Sequence, residues 1–431
     1  MKKLLLALLS LGLLFGTAQA QTIRVAGGAV GQEFQLSQEL AQQYMEQNPG
    51  VTVEVVKTPD KTDARFAQYL QIFEAQSPDI DVMQLDVIWP GQIAQHLVNL
   101  NDYEGIQEIA DQHFPAIIEA NTVDGNLVAI PWFTDAGILY YRTDLLEKYG
   151  FDGPPTTWTE LEEMSTTIQE GERQENPDFS AFVWQGDSYE GLTCDALEWI
   201  DSSGGGTIIS PESVITINNP AAVEIIQQAA GWVGNISPQG VTGFDEEAAR
   251  NFFQAGNAAF MRNWPYAYSL MNADDSAVAG NFDVTTLPSG ENGSPAATLG
   301  GWNLGVSKYS NNVDIAVDVA KFFTSEQAQK SRAIEASYNP TIPALYEDEE
   351  VLEAVPFFGS LLDVFTNAVP RPSAATGQDY SEVSRLFFTA VHNVLTGQEE
   401  AEVALELLAL DLEDLTGFES GEPQTESSSA Q

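Results

Sequence analysis

The chain has 431 residues, with 63 acidic against 17 basic side chains and a formal net charge of −46. Such a surface repels nucleic acid and anionic lipid and excludes both as partners. A 43% hydrophobic share with 10% aromatics excludes a disordered polyanion, which could not bury enough apolar surface to fold. The length exceeds one ordinary core and implies two domains. Cys194 is the single cysteine, so no internal disulfide holds them. An acid surplus with few lysines also keeps a surface hydrated where salt shortens the Debye length to about 3 Å near 1 M; a saline habitat is the expectation.

In chain order, Lys2 and Lys3, the apolar run Leu4 to Phe15 and Ala18-Gln19-Ala20 match a secretory signal peptide cleaved after Ala20. No later stretch reaches the roughly 20 apolar residues of a membrane span. No cysteine follows the signal to accept a lipid. The expectation is an unanchored periplasmic protein.

Thr22 to Ala26 reads as a first strand, and a helix follows from Glu33. Its apolar Leu36, Leu40 and Tyr44 share one face, and Asn48-Pro49-Gly50 ends it. Thr52 to Val56, Ala64 to Gln76 and Asp81 to Leu85 complete a β-α-β-α-β run. That order predicts an α/β fold with a mainly parallel sheet flanked by helices, its ligand crevice beyond the carboxyl ends of the strands. The order repeats more loosely: strand Leu127 to Pro131, helix Thr159 to Glu172, strand Ser180 to Trp184 and helix Leu192 to Ile200, closed by Gly204-Gly205-Gly206. Gly301 to Ser307 reads as a strand, and Val313 to Phe323, Tyr380 to Leu395 and Glu402 to Leu415 as helices. The tail after Phe418, rich in Glu, Ser and Gln, reads as disordered.

Catalytic patterns are missing. His96, His113 and His392 lie far apart without H-E-x-x-H spacing, and there is no G-x-S-x-G elbow, no phosphate loop and no C-x-x-C pair. Asp79, Asp81 and Asp86 lack the calcium-loop pattern, so neither metal nor cofactor is expected. Paired carboxylates can still meet by chance among so many acids, which keeps a secreted glycoside hydrolase as the alternative.

Two tryptophans carry the positive signal. Trp264, in Met261-Arg262-Asn263-Trp264-Pro265-Tyr266, precedes a proline, and Trp302, in Leu299-Gly300-Gly301-Trp302, follows two glycines. An indole at a turn is a flat apolar plate suited to the apolar face of a sugar ring; equally, a strand can deliver it to the core. Polar residues adjoin the same strand ends and turns: Glu33, Arg65, Asp86, Asp135 and, between two prolines, Arg371. Carboxylates accept paired hydrogen bonds and a guanidinium offers forked donors, so such a set reads a polyol as well as an anion. Considered singly, Arg65 also fits a solvated helix face and Asp135 a turn cap.

Four strings, Asp86-Val87-Ile88-Trp89-Pro90-Gly91, Phe133 to Arg142, Met261 to Tyr268 and Thr298 to Trp302, resemble those of the trehalose/maltose-binding proteins of ABC sugar importers, a group of extracellular solute-binding proteins. The likeness also takes in Tyr189 to Trp199 and runs from the first strand to His392. It implies a type II periplasmic-binding fold: lobe 1 in residues 21–131 and 299–338, lobe 2 in 132–298 and 339–418, and a tail over 419–431. It further implies a monomer that closes on a disaccharide and presents the closed form to a membrane permease. By position, Glu33, Arg65 and Asp86 match sugar contacts on the first lobe, and Asp135 and Trp264 match contacts on the second-lobe and hinge side. Gly301, Trp302 and Arg371 complete the implied pocket. Phe133 departs from members that carry Tyr there, which removes one hydroxyl contact. Hinges are expected near Ile130 to Trp132, Thr298 to Gly300 and Asn339 to Pro343.

Overall fold

The computed structural model describes residues 21–291 and 293–423; the signal-peptide assignment lies outside them. The alternating pattern of the first hundred residues forms as read. Strand β1 (Gln21–Gly27), helix α1 (Glu33–Gln47), strand β2 (Val51–Lys57), helix α2 (Thr62–Glu74) and strand β3 (Val82–Asp86) follow one another, with β1 parallel to both β2 and β3. Helix α1 buries Leu36, Leu40 and Tyr44 as its periodicity requires.

The first sheet is completed from distant sequence. Strand β4 (Ala129–Ala136) and the last sheet strand, β9 (Leu299–Val306), give the order β2-β1-β3-β9-β4, with β9 antiparallel to both neighbours. All eight residues of β4 are buried, so the strand stays in this sheet through Ala136. The chain therefore crosses at Gly137, later than the expected boundary at 131. A Cβ on Gly137 would lie 2.0 Å from Glu198 Oε1, and only glycine lets the crossing chain pass that carboxylate.

Strand β5 (Ile138–Arg142) opens the second sheet, with β6 (Phe182–Val183), β7 (Phe260–Asn263) and β8 (Phe282–Thr285) in the order β8-β5-β7-β6. Its polarity differs from the mainly parallel expectation: β5 is antiparallel to β7 and β8, and only β7 with β6 is parallel. The immediate cause is Gly137, after which the chain continues straight into β5 without a crossover helix. The second lobe's core is an indole cluster, with Trp199 4.9 Å from Trp184 and 5.4 Å from Trp232, ring centre to ring centre, and Trp158 5.6 Å from Trp232. The near-perpendicular packing of Trp199 on Trp184 and Trp232 adds to the area term.

The tail reading is corrected at its start. Glu419–Ser420 pair in parallel with Val214–Ile215, and the Gly421 N–H donates to the Ile215 carbonyl at 2.9 Å. This edge pairing uses backbone groups alone, so a polar sequence does not forbid it. Among the described residues, no helix is long and apolar enough to cross a membrane.

Candidate functional site

Strand register assembles one wall. Trp302 lies opposite Asp86 on one side and Phe133 on the other, while Gly301 faces Thr134 and Gly300 faces Asp135. Three strand ends thus bring an indole, a phenyl ring and two carboxylates to one edge of the first sheet. Gly301 has φ +120°, and a Cβ there would sit 2.6 Å from the Phe133 carbonyl oxygen. Glycine is required at this position, and the irregularity in pairing between Trp302 and Asn303 begins beside it.

The facing wall comes from the second lobe. Trp264 follows β7; its N–H donates to Asn263 Oδ1 at 2.8 Å, and its carbonyl accepts from the Tyr140 hydroxyl at 2.8 Å. Between the walls lies a cleft of about 590 Å³ of empty space, open solvent at its mouth included. Glu33, Asp86, Phe133, Asp135, Trp264, Gly301, Trp302 and Arg371 all line it.

Arg65 is the member of the set that does not line the cleft. It is fully buried, donates from Nε and Nη2 to the Pro59 carbonyl at 3.1 and 3.0 Å, and lies over the Trp302 ring at 4.3 Å. Neither a solvated helix face nor a direct wall position describes it, because the indole stands between guanidinium and cleft. Arg262 repeats the device under the other indole, 3.9 Å from the Trp264 ring centre. Each indole that lines the cleft is thus backed by a buried cation, which fixes the plate and polarises it.

Arg262 is itself held by Glu198, with Nε–Oε2 at 2.8 Å and Nη2–Oε1 at 2.5 Å, by Asp195 at 2.9 Å and by Gln185 Oε1 at 3.0 Å. Asp195 and Glu198 stand one turn apart on helix α3 (Glu190–Ser202). Burial raises the pKa of both carboxyls, against the opposing pull of Arg262.

Arg371 ties the lobes together. Its Nη2 meets Asp86 Oδ1 on the first lobe at 2.8 Å, and its Nη1 meets Glu190 Oε1 on the second at 2.8 Å. Glu190 also accepts from the Tyr380 and Ser384 hydroxyls, and its own N–H donates across the cleft to Asp63 Oδ2 at 3.0 Å. Burial pushes the Glu190 carboxyl up to about 7 despite Arg371. Burial likewise raises Glu33, against the pull of Arg65 and Arg332. Asp135 is raised well above the ordinary carboxyl range by burial and then by the Glu33 charge. Glu33 Oε2 and Asp135 Oδ1 are buried acceptors with no protein donor, the condition of groups that serve a bound molecule or water.

Several lining residues escaped sequence reasoning: Asp60, Thr62, Glu190, Glu246, Tyr266 and Tyr338. Glu190 and Tyr266 fall inside strings singled out above, but one acid among 63 carries no mark. Cys194 is buried and also borders the cleft. Among the described residues no group of acids, histidines and cysteine could hold a metal ion.

Two α/β lobes with a buried, aromatic-walled cleft between them define a ligand-capturing protein of the type II periplasmic-binding architecture. The chain belongs to the bacterial extracellular solute-binding protein family, whose model matches residues 28–330. A probable ABC transporter-binding protein of Deinococcus radiodurans is 52% identical over 400 residues, 93% of this chain and 95% of that one. The structure of maltose-bound MalE3 of T. maritima superposes with a TM-score of 0.87 at 42% identity, covering 92% of this chain and all of that one. A Thermotoga lettingae solute-binding protein bound with α-D-tagatose shares the fold, with a TM-score of 0.81 at 22% identity over 92% of this chain and all of that one. The family consists of extracytoplasmic ligand-binding transport components rather than enzymes, which sets aside the hydrolase alternative.

Proposed function

We propose that this protein captures a sugar of disaccharide size, of the trehalose or maltose type, between its lobes and delivers it to an ABC importer. The observation that carries the reading is the pairing of two cation-backed indoles, Trp302 from the first lobe and Trp264 from the second, on one cleft edged by carboxylates. Apolar ring faces stack on the indoles while Glu33, Asp86 and Asp135 accept from hydroxyls. The maltose in the T. maritima relative and the transporter role in the name of the D. radiodurans relative support the same assignment. Contacts from both lobes exist together only when the cleft is shut, so the sugar favours closure by that difference in contact energy. The closed monomer is what the permease engages. Export rests on residues 1–20, with cleavage after Ala20.

Calorimetry against trehalose, maltose, sucrose and glucose tests the reading; no binding to any of them ends it. Trp264→Ala and Trp302→Ala are each expected to weaken the preferred sugar by 10-fold or more, on the order of 1.4 kcal/mol. Unchanged affinity in both variants removes the stacking assignment.

A further inference from the structure

Helix α4 (Glu326–Ala336) carries a second buried cation that serves no structural ion pair. Arg332 is 2% exposed, and none of its three guanidinium nitrogens has a hydrogen-bond partner in the protein. Its guanidinium lies 3.9 Å from the Trp132 ring centre, 4.6 Å from Tyr338 and 4.7 Å from Phe133, inside an aromatic box of which Phe133 and Tyr338 also line the cleft. Five donors with no acceptor, removed from water, are costly, and native interiors rarely keep them without a use. Close by in the same box, Trp132 Nε1 is also orphaned.

The charge of Arg332 falls on the two cleft carboxylates that carry orphan oxygens. It opposes the rise in pKa that burial imposes on both Glu33 and Asp135, whereas the Glu33 charge adds to the rise at Asp135. The groups facing these carboxyls are few. Glu33 meets Arg65 and Arg332, with Gln84 as a donor; Asp135 meets Glu33, Asp86, Arg262 and Arg332. Arg65 and Arg262 are already engaged, by Pro59 and by the Asp195–Glu198 pair respectively. Tyr338 is the remaining ionisable neighbour of Arg332, and burial holds its phenol neutral. Like Arg65, whose only acceptor among the described residues is the neutral Pro59 carbonyl, Arg332 has no ion pair of its own among them; unlike Arg65, it acts on both Glu33 and Asp135.

We infer that Arg332 is a positioning residue for sugar recognition: held without an ion pair in its aromatic box beneath Phe133, it supplies counter-charge to Glu33 and Asp135, whose orphan oxygens accept from the hydroxyls of the bound sugar. Removing the charge takes away a pull toward the ionised forms of both carboxyls, and protonation of either then removes an acceptor at a higher pH than in the wild type.

The inference rests on the sugar-binding reading, so its test starts from the preferred sugar of the panel above, titrated by indole fluorescence from acid to alkaline pH. Arg332→Met and Arg332→Gln are expected to move the pH midpoint of affinity upward by about one unit or more, while Arg332→Lys keeps the wild-type midpoint. Arg332→Gln retains a donor and serves if the methionine variant does not fold. A wild-type protein that binds no sugar overturns the functional reading and this inference with it. A wild-type protein that binds, with neutral variants that keep its pH midpoint, overturns the inference alone, even if their affinity falls evenly at all pH values.

Discussion

Glu190 shows how one residue couples the cleft to stability. The folded chain holds its proton up to about pH 7, whereas the unfolded chain releases it near the ordinary value of 4.5. Between these limits the native state binds more protons than the unfolded state, so this group's contribution is complete below pH 4.5 and is lost as pH rises through about 7. Glu190→Gln mimics the protonated form at every pH. Its melting temperature relative to wild type is expected to rise as pH increases across this window, and a flat difference from acid to neutral pH contradicts the assignment. At the same scale, the two indoles were legible because a proline and two glycines mark turns where a large plate is out of place unless used. Arg332 was not legible, since Glu-Gln-Ala-Gln-Lys-Ser-Arg-Ala-Ile-Glu-Ala has the look of a solvated helix.

Among the elements, the strand Leu299–Val306 links architecture to recognition, since it pairs with both neighbours and presents Trp302. Its Gly301 adopts a backbone conformation that side chains rarely tolerate, against the Phe133 carbonyl. Gly301→Ala is expected to cost about 1–3 kcal/mol of stability and to weaken sugar binding by displacing the adjacent indole. Urea unfolding checks the first effect, with Gly91→Ala as control, because a Cβ there meets nothing within 4 Å. The β-α-β-α-β run was legible because its strands and helices differ in hydrophobic period over long stretches. The second sheet was not, because its strands span two to five residues and its partners come together across long gaps, more than a hundred positions for Ile138–Arg142 with Phe260–Asn263. Nothing local encodes such a pairing.

For the molecule as a whole, the net charge and the ion pairs of the cleft are expected to respond differently to salt. The ion pairs that shape the site, Arg371 with Asp86 and Glu190 and Arg262 with Asp195 and Glu198, are almost wholly buried and feel little salt screening. Self-repulsion of a net charge of −46 is screened as the Debye length falls from about 10 Å at 0.1 M to about 3 Å at 1 M salt. The thermal midpoint is therefore expected to climb over that range while sugar affinity changes little; a midpoint indifferent to salt argues against adaptation to a saline habitat. The two-lobed plan itself was legible from length and from the resemblance, whereas the crossing at Gly137 was not, because the space that Glu198 leaves there for a bare backbone is set by a helix about sixty residues further on.

The short pairing of Glu419–Ser420 with Val214–Ile215 has a practical side. Gln21 begins a strand of the first sheet, while Ser420 is stitched to the other lobe, and both are exposed. A donor and an acceptor dye attached at these two positions ride on different halves of the molecule, so energy transfer between them converts opening and shutting of the jaws into an optical signal without touching the cleft.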